Sequence, residues 1–161
     1  MVIHTGKLRS MASVYLLHDE DILLLYRQGN SIVSNLWIGS AGGHFEHHEF
    51  NDAKACVLRE MKEELNLDPE DISDLQLRYV TLRYTDGEIR QNYYFFAKLS
   101  SAIQAYSTEG LCQWFPFSGL SDLPMPFTAR YMIDHYLSEG RYTDHLYGGI
   151  ANKDNVNFQQ L

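Results

Sequence analysis

The sequence predicts an α/β sandwich, a β-sheet covered by helices on both faces. Three observations carry this. Residues 53–65 have the apolar stripe of an amphipathic helix, β-rich runs lie on both sides of it, and Tyr93-Tyr94-Phe95-Phe96-Ala97 is apolar on both alternating faces. A strand with one face in water alternates apolar with polar residues, so a strand apolar on both faces must be covered on both.

The elements follow in chain order. Met1 to Ser10 carries His4, Lys7 and Arg9 and has no apolar stretch of the secretory kind, which sets the expectation of a cytoplasmic protein. Ala12 to His18 and Ile22 to Arg27 read as a hairpin turning at Asp19-Glu20-Asp21. A loop from Gln28 to Asn35 leads to Leu36-Trp37-Ile38 and then Gly39-Ser40-Ala41-Gly42-Gly43, small residues that let backbone approach another group closely. Asn51 or Asp52 caps a helix from Ala53 to Leu65, with Val57, Leu58, Met61 and Leu65 on one stripe and Asn66 at the left-handed stop.

Pro69 and its acidic neighbours form the next loop. Leu75 to Tyr84 and Ile89 to Leu99 are β-rich runs joined by Thr85-Asp86-Gly87-Glu88, a turn of the Asp-Gly type. Leu111 to Pro116 is a further strand, and a second helix opens at Phe127-Thr128 and ends near Ser138, ahead of Gly140. From Tyr142 the pattern weakens, with short strands expected through Leu146 and Val156. No repeat, low-complexity tract or linker divides residues 1–161, so a single domain is expected, with its core at about 12–137 and a C-terminal tail at 141–161.

A chain of 161 residues removes roughly 70% of its unfolded surface from water on folding, enough for a core without disulfides. Cys56 and Cys112 match no metal or redox spacing and read as reduced packing residues. The longest apolar runs, Ile22 to Tyr26 and Tyr93 to Ala97, are about a quarter of the ~20 residues a membrane-spanning helix needs, so no membrane partner is expected. The net charge is −8, and the segment from His44 to Asp74 holds ten acidic residues against Lys54, Arg59 and Lys62. A surface of that sign repels duplex nucleic acid and attracts cations.

Within the first helix Glu60, Glu63 and Glu64 stand at i, i+3 and i+4, a spacing that costs roughly 0.2–0.5 kcal/mol per like-charged pair. A solvated acidic face is the ordinary explanation. Glu49 and the Gly42-Gly43 tract just ahead add carboxylate and exposed carbonyl oxygens, the ligands hard divalent cations such as Mg²⁺ or Mn²⁺ take.

The stretch Gly43-x5-Glu49-x9-Arg59-Glu60-Met61-x-Glu63-Glu64-x-Asn66-Leu67 resembles the Nudix box, G-x5-E-x7-R-E-U-x-E-E-x-G-U with U aliphatic. It departs in two places: nine residues instead of seven separate Glu49 from Arg59, and Asn66 replaces the last glycine, a residue that also tolerates the left-handed conformation. The hairpin before the box, the Trp37 to Gly43 lead-in and Glu109 ahead of Trp114-Phe115-Pro116 extend the likeness over about residues 12–137.

The resemblance implies a Nudix α/β/α sandwich with a mixed β-sheet, the box helix on one face and the Thr128 to Ser138 helix on the other. It implies that Glu60 and Glu64 ligate Mg²⁺ or Mn²⁺ with the Gly42 carbonyl, and that Glu63 is a ligand or the base. Arg59 would orient the glutamates through Glu49, Glu109 would approach the metals and activate water, and Arg27 would touch substrate. The implied activity is metal-dependent hydrolysis of the pyrophosphate bond of a nucleoside diphosphate linked to another group. Within the family the chain looks most like the MutT-type hydrolases of (deoxy)nucleoside triphosphates such as 8-oxo-dGTP, which give monophosphate and pyrophosphate. ADP-ribose or nucleotide-sugar hydrolysis and a non-catalytic nucleotide-binding module are the alternatives, and an RNA 5′-end hydrolase would need a basic groove. The partner is a small nucleotide, and a homodimer is compatible with the sequence.

Other signals stay unassigned. His44, His47 and His48 fit no zinc-hydrolase spacing and read as solvated loop residues. Arg78, Arg83 and Arg90 alternate along the strand pair, where a phosphate cleft and an ordinary solvated sheet face are both open readings. Trp37, Phe45, Tyr84, Phe115 and Phe127 are candidates for base stacking, with core packing the simpler explanation.

Overall fold

A computed structural model of the chain describes residues 6–28, 35–102 and 106–161. Residues 1–5, with His4, and most of the loop between Gln28 and Asn35 lie outside the described residues. Among the described residues nine strands are formed: β1 (Lys7–His18), β2 (Asp21–Arg27), β3 (Leu36–Ile38), β4 (Ala41–His44), β5 (Ile72–Thr85), β6 (Glu88–Leu99), β7 (Leu111–Pro116), β8 (Tyr147–Ala151) and β9 (Val156–Gln160). The α-helices are α1 (Ala53–Leu65) and α2 (Phe127–Ser138).

The sheet runs β3-β2-β1-β6-β5-β8-β9, with β4 also on β1 and β7 on β2. It is mixed, because β1 is parallel to β6 and β5 is parallel to β8 while the other pairs are antiparallel. Alternation along the central strands sorts the side chains into two cores. Ala12, Val14, Leu16, Phe95 and Ala97 pack with Val57 and Met61 of α1. Tyr15, Leu17, Tyr94 and Phe96 pack with Met132, Ile133 and Tyr136 of α2. The layered α/β/α fold therefore stands as the sequence predicts.

Local chemistry sets the element ends. The Asp52 carboxylate accepts from the Ala55 N–H at 3.0 Å to start α1, and Asn66 stops it in the left-handed region at φ 53°. The β5–β6 hairpin turns through Asp86 (φ 54°) and Gly87 (φ 76°), both left-handed as a type I′ turn requires.

The structure differs from the sequence-based limits at several strands. β1 begins at Lys7, ahead of Ala12, because β6 supplies a parallel partner down to Glu88. Part of the small-residue tract is strand β4, paired with Met11–Val14 of β1. β1 thus forks, with β2 on its last residues and β4 on its middle, and Ser40 fills the fork: its buried hydroxyl accepts from the Leu16 N–H at 2.9 Å and donates to the Leu23 carbonyl at 2.6 Å. The C-terminal segment adds β8 beside β5 and β9 as an edge strand.

Candidate active site

α1 lies across β4 and β1, so the carboxylates of its polar face meet the glycine backbone of β4. Gly42 N–H donates to Glu64 Oε2 at 3.3 Å. Gly43 has no side chain because the Glu60 carboxylate occupies the space a Cβ would take, and a Cβ on Gly42 would meet the Ala12 carbonyl oxygen at 2.6 Å. Glu60 and Glu64 are therefore brought together over β4. Burial and then the Glu60 charge push the Glu64 carboxyl up to about 8.

Arg59 holds the flank of this pair. Its Nε and Nη2 donate to Glu49 Oε1 and Oε2 at 2.6 and 3.0 Å, its Nη1 to Glu60 at 2.9 Å and to Glu63 at 3.1 Å, and its Nη2 also to the His44 carbonyl at 3.2 Å. Glu49 is 1% exposed, and the hydrogen bonds from Arg59 hold its carboxyl at about 2. The longer spacing within the box does not separate these residues. A 3₁₀ turn at His47–Glu49 and an Asp52 N–H bond to the Glu49 carbonyl at 2.8 Å take up the additional length before the helix cap.

Glu63 is 57% exposed and lies on the Arg59 side, away from the β4 backbone contacts. Glu109 approaches from the other side: its loop is tied to the end of α1 by Thr108 N–H to the Glu64 carbonyl at 3.2 Å, and its charge adds to the upward shift of Glu64. Arg27 Nη2 is 3.4 Å from Glu109 Oε2.

The donor set suits a hard divalent cation. Two carboxylates pressed together against strand backbone, one of them favouring its protonated form, are relieved when a cation takes the proton's place. Glu46, His48 and Glu49 also converge closely enough to be ligands. There the cation's place is already taken, with Arg59 Nε 2.6 Å from Glu49 and 3.8 Å from Glu46.

Next to the acidic site a cleft opens on the α2 face of the sheet, lined by Arg27, Gly42, Gly43, Arg83, Arg90 and Phe127 among others. Arg83 and Arg90 thus join the site, while Arg78 does not. The Arg78 guanidinium is buried and donates to the carbonyls of His145, Gly140 and Thr143 at 3.0, 2.6 and 2.8 Å, tying the tail to β5. Phe127 faces the cleft, whereas Trp37 packs against Tyr26 and Phe115. Burial pushes the Cys56 thiol up to about 12 and the Cys112 thiol up to about 11, in keeping with packing roles.

A sequence model of the NUDIX domain matches residues 7–136. The chain belongs to the Nudix family, and it is a hydrolase of the kind that acts on phosphoric anhydrides. Its fold is similar to that of a mutator MutT protein from Bacillus halodurans, with 19% identity, a TM-score of 0.65 and coverage of 94% of this chain and 97% of that one. It is also similar to a MutT protein from Methanosarcina mazei Go1 (18%, TM-score 0.67, 83% and 96% covered) and to an Ap4A hydrolase from C. elegans (16%, TM-score 0.63, 82% and 96% covered). No curated protein matches it in sequence. Nudix hydrolases generally use a divalent metal and bind small nucleotides, and among the described residues no helix is long and apolar enough to cross a membrane.

Proposed function

We propose that this protein hydrolyses the pyrophosphate bond of a nucleoside diphosphate derivative with Mg²⁺ or Mn²⁺, its substrate a (deoxy)nucleoside triphosphate such as 8-oxo-dGTP, released as monophosphate and pyrophosphate. The observation that carries this is that Gly42 and Gly43, which touch the Glu64 and Glu60 carboxylates, also line a cleft that holds Arg27. Carboxylates alone would repel a polyphosphate, and the cation with Arg27 reverses that sign.

Glu60 and Glu64 hold the metal, with the Gly42 carbonyl beside them. The metal, when bound, neutralises phosphate charge and makes a coordinated water more acidic. Glu49, held ionised and spanned on both oxygens by Arg59, serves by positioning Arg59. Glu49 is buried with both oxygens engaged by Arg59, so proton abstraction falls to the more exposed Glu63 or Glu109 rather than to Glu49. Arg27, 3.4 Å from Glu109, orients a substrate phosphate in this reading while restraining Glu109.

The test is incubation with Mg²⁺ or Mn²⁺ and a panel of nucleoside triphosphates, 8-oxo-dGTP, ADP-ribose, nucleotide sugars and dinucleoside polyphosphates, beside a Glu63→Gln control. Monophosphate and pyrophosphate from one triphosphate, absent in the control, is the expected outcome. Turnover confined to ADP-ribose or a nucleotide sugar would replace the triphosphate assignment, and binding without any turnover would favour a nucleotide-binding module.

A further inference from the structure

Arg9, Arg90 and Arg83 are in register across β1, β6 and β5. Residues directly opposite share a sheet face, so three cations rise from one row, about 4.8 Å from strand to strand. Like charges placed this way destabilise a sheet. Neighbouring carboxylates answer only part of the row: Glu88 is shared between Arg9 Nη1 (3.3 Å) and Arg90 Nε (3.4 Å), and Asp86 is 3.9 Å from Arg90. Arg83 has no carboxylate or hydrogen-bond partner among the described residues, and its guanidinium stacks 4.2 Å from the Phe127 ring centre.

Phe127 is the first residue of α2, and this helix has no side-chain cap because Pro126 fills the N-cap position. Its first-turn N–H groups have no intrahelical acceptor. Thr128 is 7% exposed, lines the cleft, and its hydroxyl has no hydrogen-bond partner among the described residues. Arg83, Arg90, Thr128 and the amide end of α2 therefore line one cleft and offer it guanidinium, hydroxyl and amide donors.

We propose that this part of the cleft is a phosphate subsite separate from the diphosphate that is hydrolysed, so that the site takes, besides a plain triphosphate, a nucleotide bearing a further phosphomonoester on its sugar. Through the strand register, Arg90 lies two strands across and three residues along from Gly43, about 14 Å between Cα positions. That span is on the scale of a nucleotide and exceeds one diphosphate. Met11, Ile38 and Phe127 line the cleft as apolar surface for a nucleoside. Guanidinium forks and helix-terminal amides together are phosphate ligands. The assignment rests on the nucleotide-hydrolase reading for the choice of ligand, and the test separates the two.

Affinities of adenosine 2′,5′-bisphosphate, adenosine 3′,5′-bisphosphate, AMP and the corresponding guanosine compounds are measured by calorimetry in EDTA, where no hydrolysis occurs. One bisphosphate is expected to bind about tenfold or more tightly than its monophosphate. In Arg83→Gln and in Arg90→Gln, each checked for an unchanged melting profile, that ratio falls toward one. Equal affinity of every bisphosphate and its monophosphate, or a ratio that survives in both variants, overturns the subsite. Activity on the substrate panel is read independently, so an inactive protein that retains the affinity ratio overturns the hydrolase reading alone.

Discussion

Arg59 and Glu49 form a two-point ion pair, with Nε 2.6 Å from Oε1 and Nη2 3.0 Å from Oε2, and Glu49 is almost entirely buried. Removing one member leaves the other charge without compensation. Arg59→Ala is expected to lower unfolding free energy by about 3–5 kcal/mol, and Arg59→Ala/Glu49→Gln together by less than the sum of the single changes. Urea denaturation of the three variants measures this. Equal and additive losses would show that the pair is not coupled.

The same pair sets an acid limb. The Glu49 carboxyl is depressed from 4.5 to about 2, so its contribution is fully present above about 4.5 and is lost as pH falls from there through about 2. Stability measured across that window should fall less steeply in Glu49→Gln than in the native protein.

Glu64 carries the opposite sign. Its carboxyl is raised from 4.5 to about 8, so without metal its ionised form disfavours folding and its effect grows as pH rises from 4.5 to 8. Glu64→Gln is expected to melt higher than the native protein at pH 8 in EDTA and to lose the rise in Tm that Mg²⁺ gives. Its kcat/KM should drop more than ~100-fold, as should that of Glu63→Gln, with a smaller loss for Glu49→Gln. Full activity in Glu64→Gln would remove it from the metal site.

Gly43→Ala probes the contact between strand and helix. A Cβ there would collide with the Glu60 carboxylate, a flexible group that can swing aside. Activity and Mg²⁺ affinity should fall at least tenfold while Tm moves by only a few degrees, and unchanged Mg²⁺ affinity in titrations would separate Glu60 from the metal site.

Arg78→Ala removes the donor for three carbonyls in the tail. At about 1 kcal/mol for each hydrogen bond, a loss of about 3 kcal/mol in stability is expected, with kcat/KM of the folded fraction preserved. A specific loss of substrate affinity at full stability would restore Arg78 to the phosphate cleft.

What the sequence disclosed depended on how local the determining interactions are. α1 was legible, with its cap narrowed to Asn51 or Asp52, because its stripe, its cap and its Asn66 stop are all close together in sequence, and Asp52 is the residue that caps it. β4 was legible only as a place of close approach, since a run of small residues has little strand propensity and becomes a strand because β1 pairs with it. The Glu60, Glu63 and Glu64 cluster lies on one helix and was visible as a spacing, while the roles of its members came from the resemblance to the Nudix box. The arginine row was not visible in this way, because Arg9 and Arg90 become neighbours only through a parallel pairing of distant segments. Arg78 looked like its neighbours in sequence, and only the return of the tail beside β5 gives it a structural role.

That parallel pairing also orders the events of folding. β1 waits for a partner some eighty residues downstream, as the register of Lys7 with Glu88 requires, and long-range strand closure of this kind is slow. The hairpin of β1 with β2, strand β4 and helix α1 are close in sequence and can associate early, bringing Glu60 and Glu64 onto the glycines. The cleft draws on β1, β5, β6 and the start of α2, so its completion must await those distant segments. The carboxylate pair would therefore be assembled before the cleft, whose appearance would report that β1 has closed on β6 and β6 on β5.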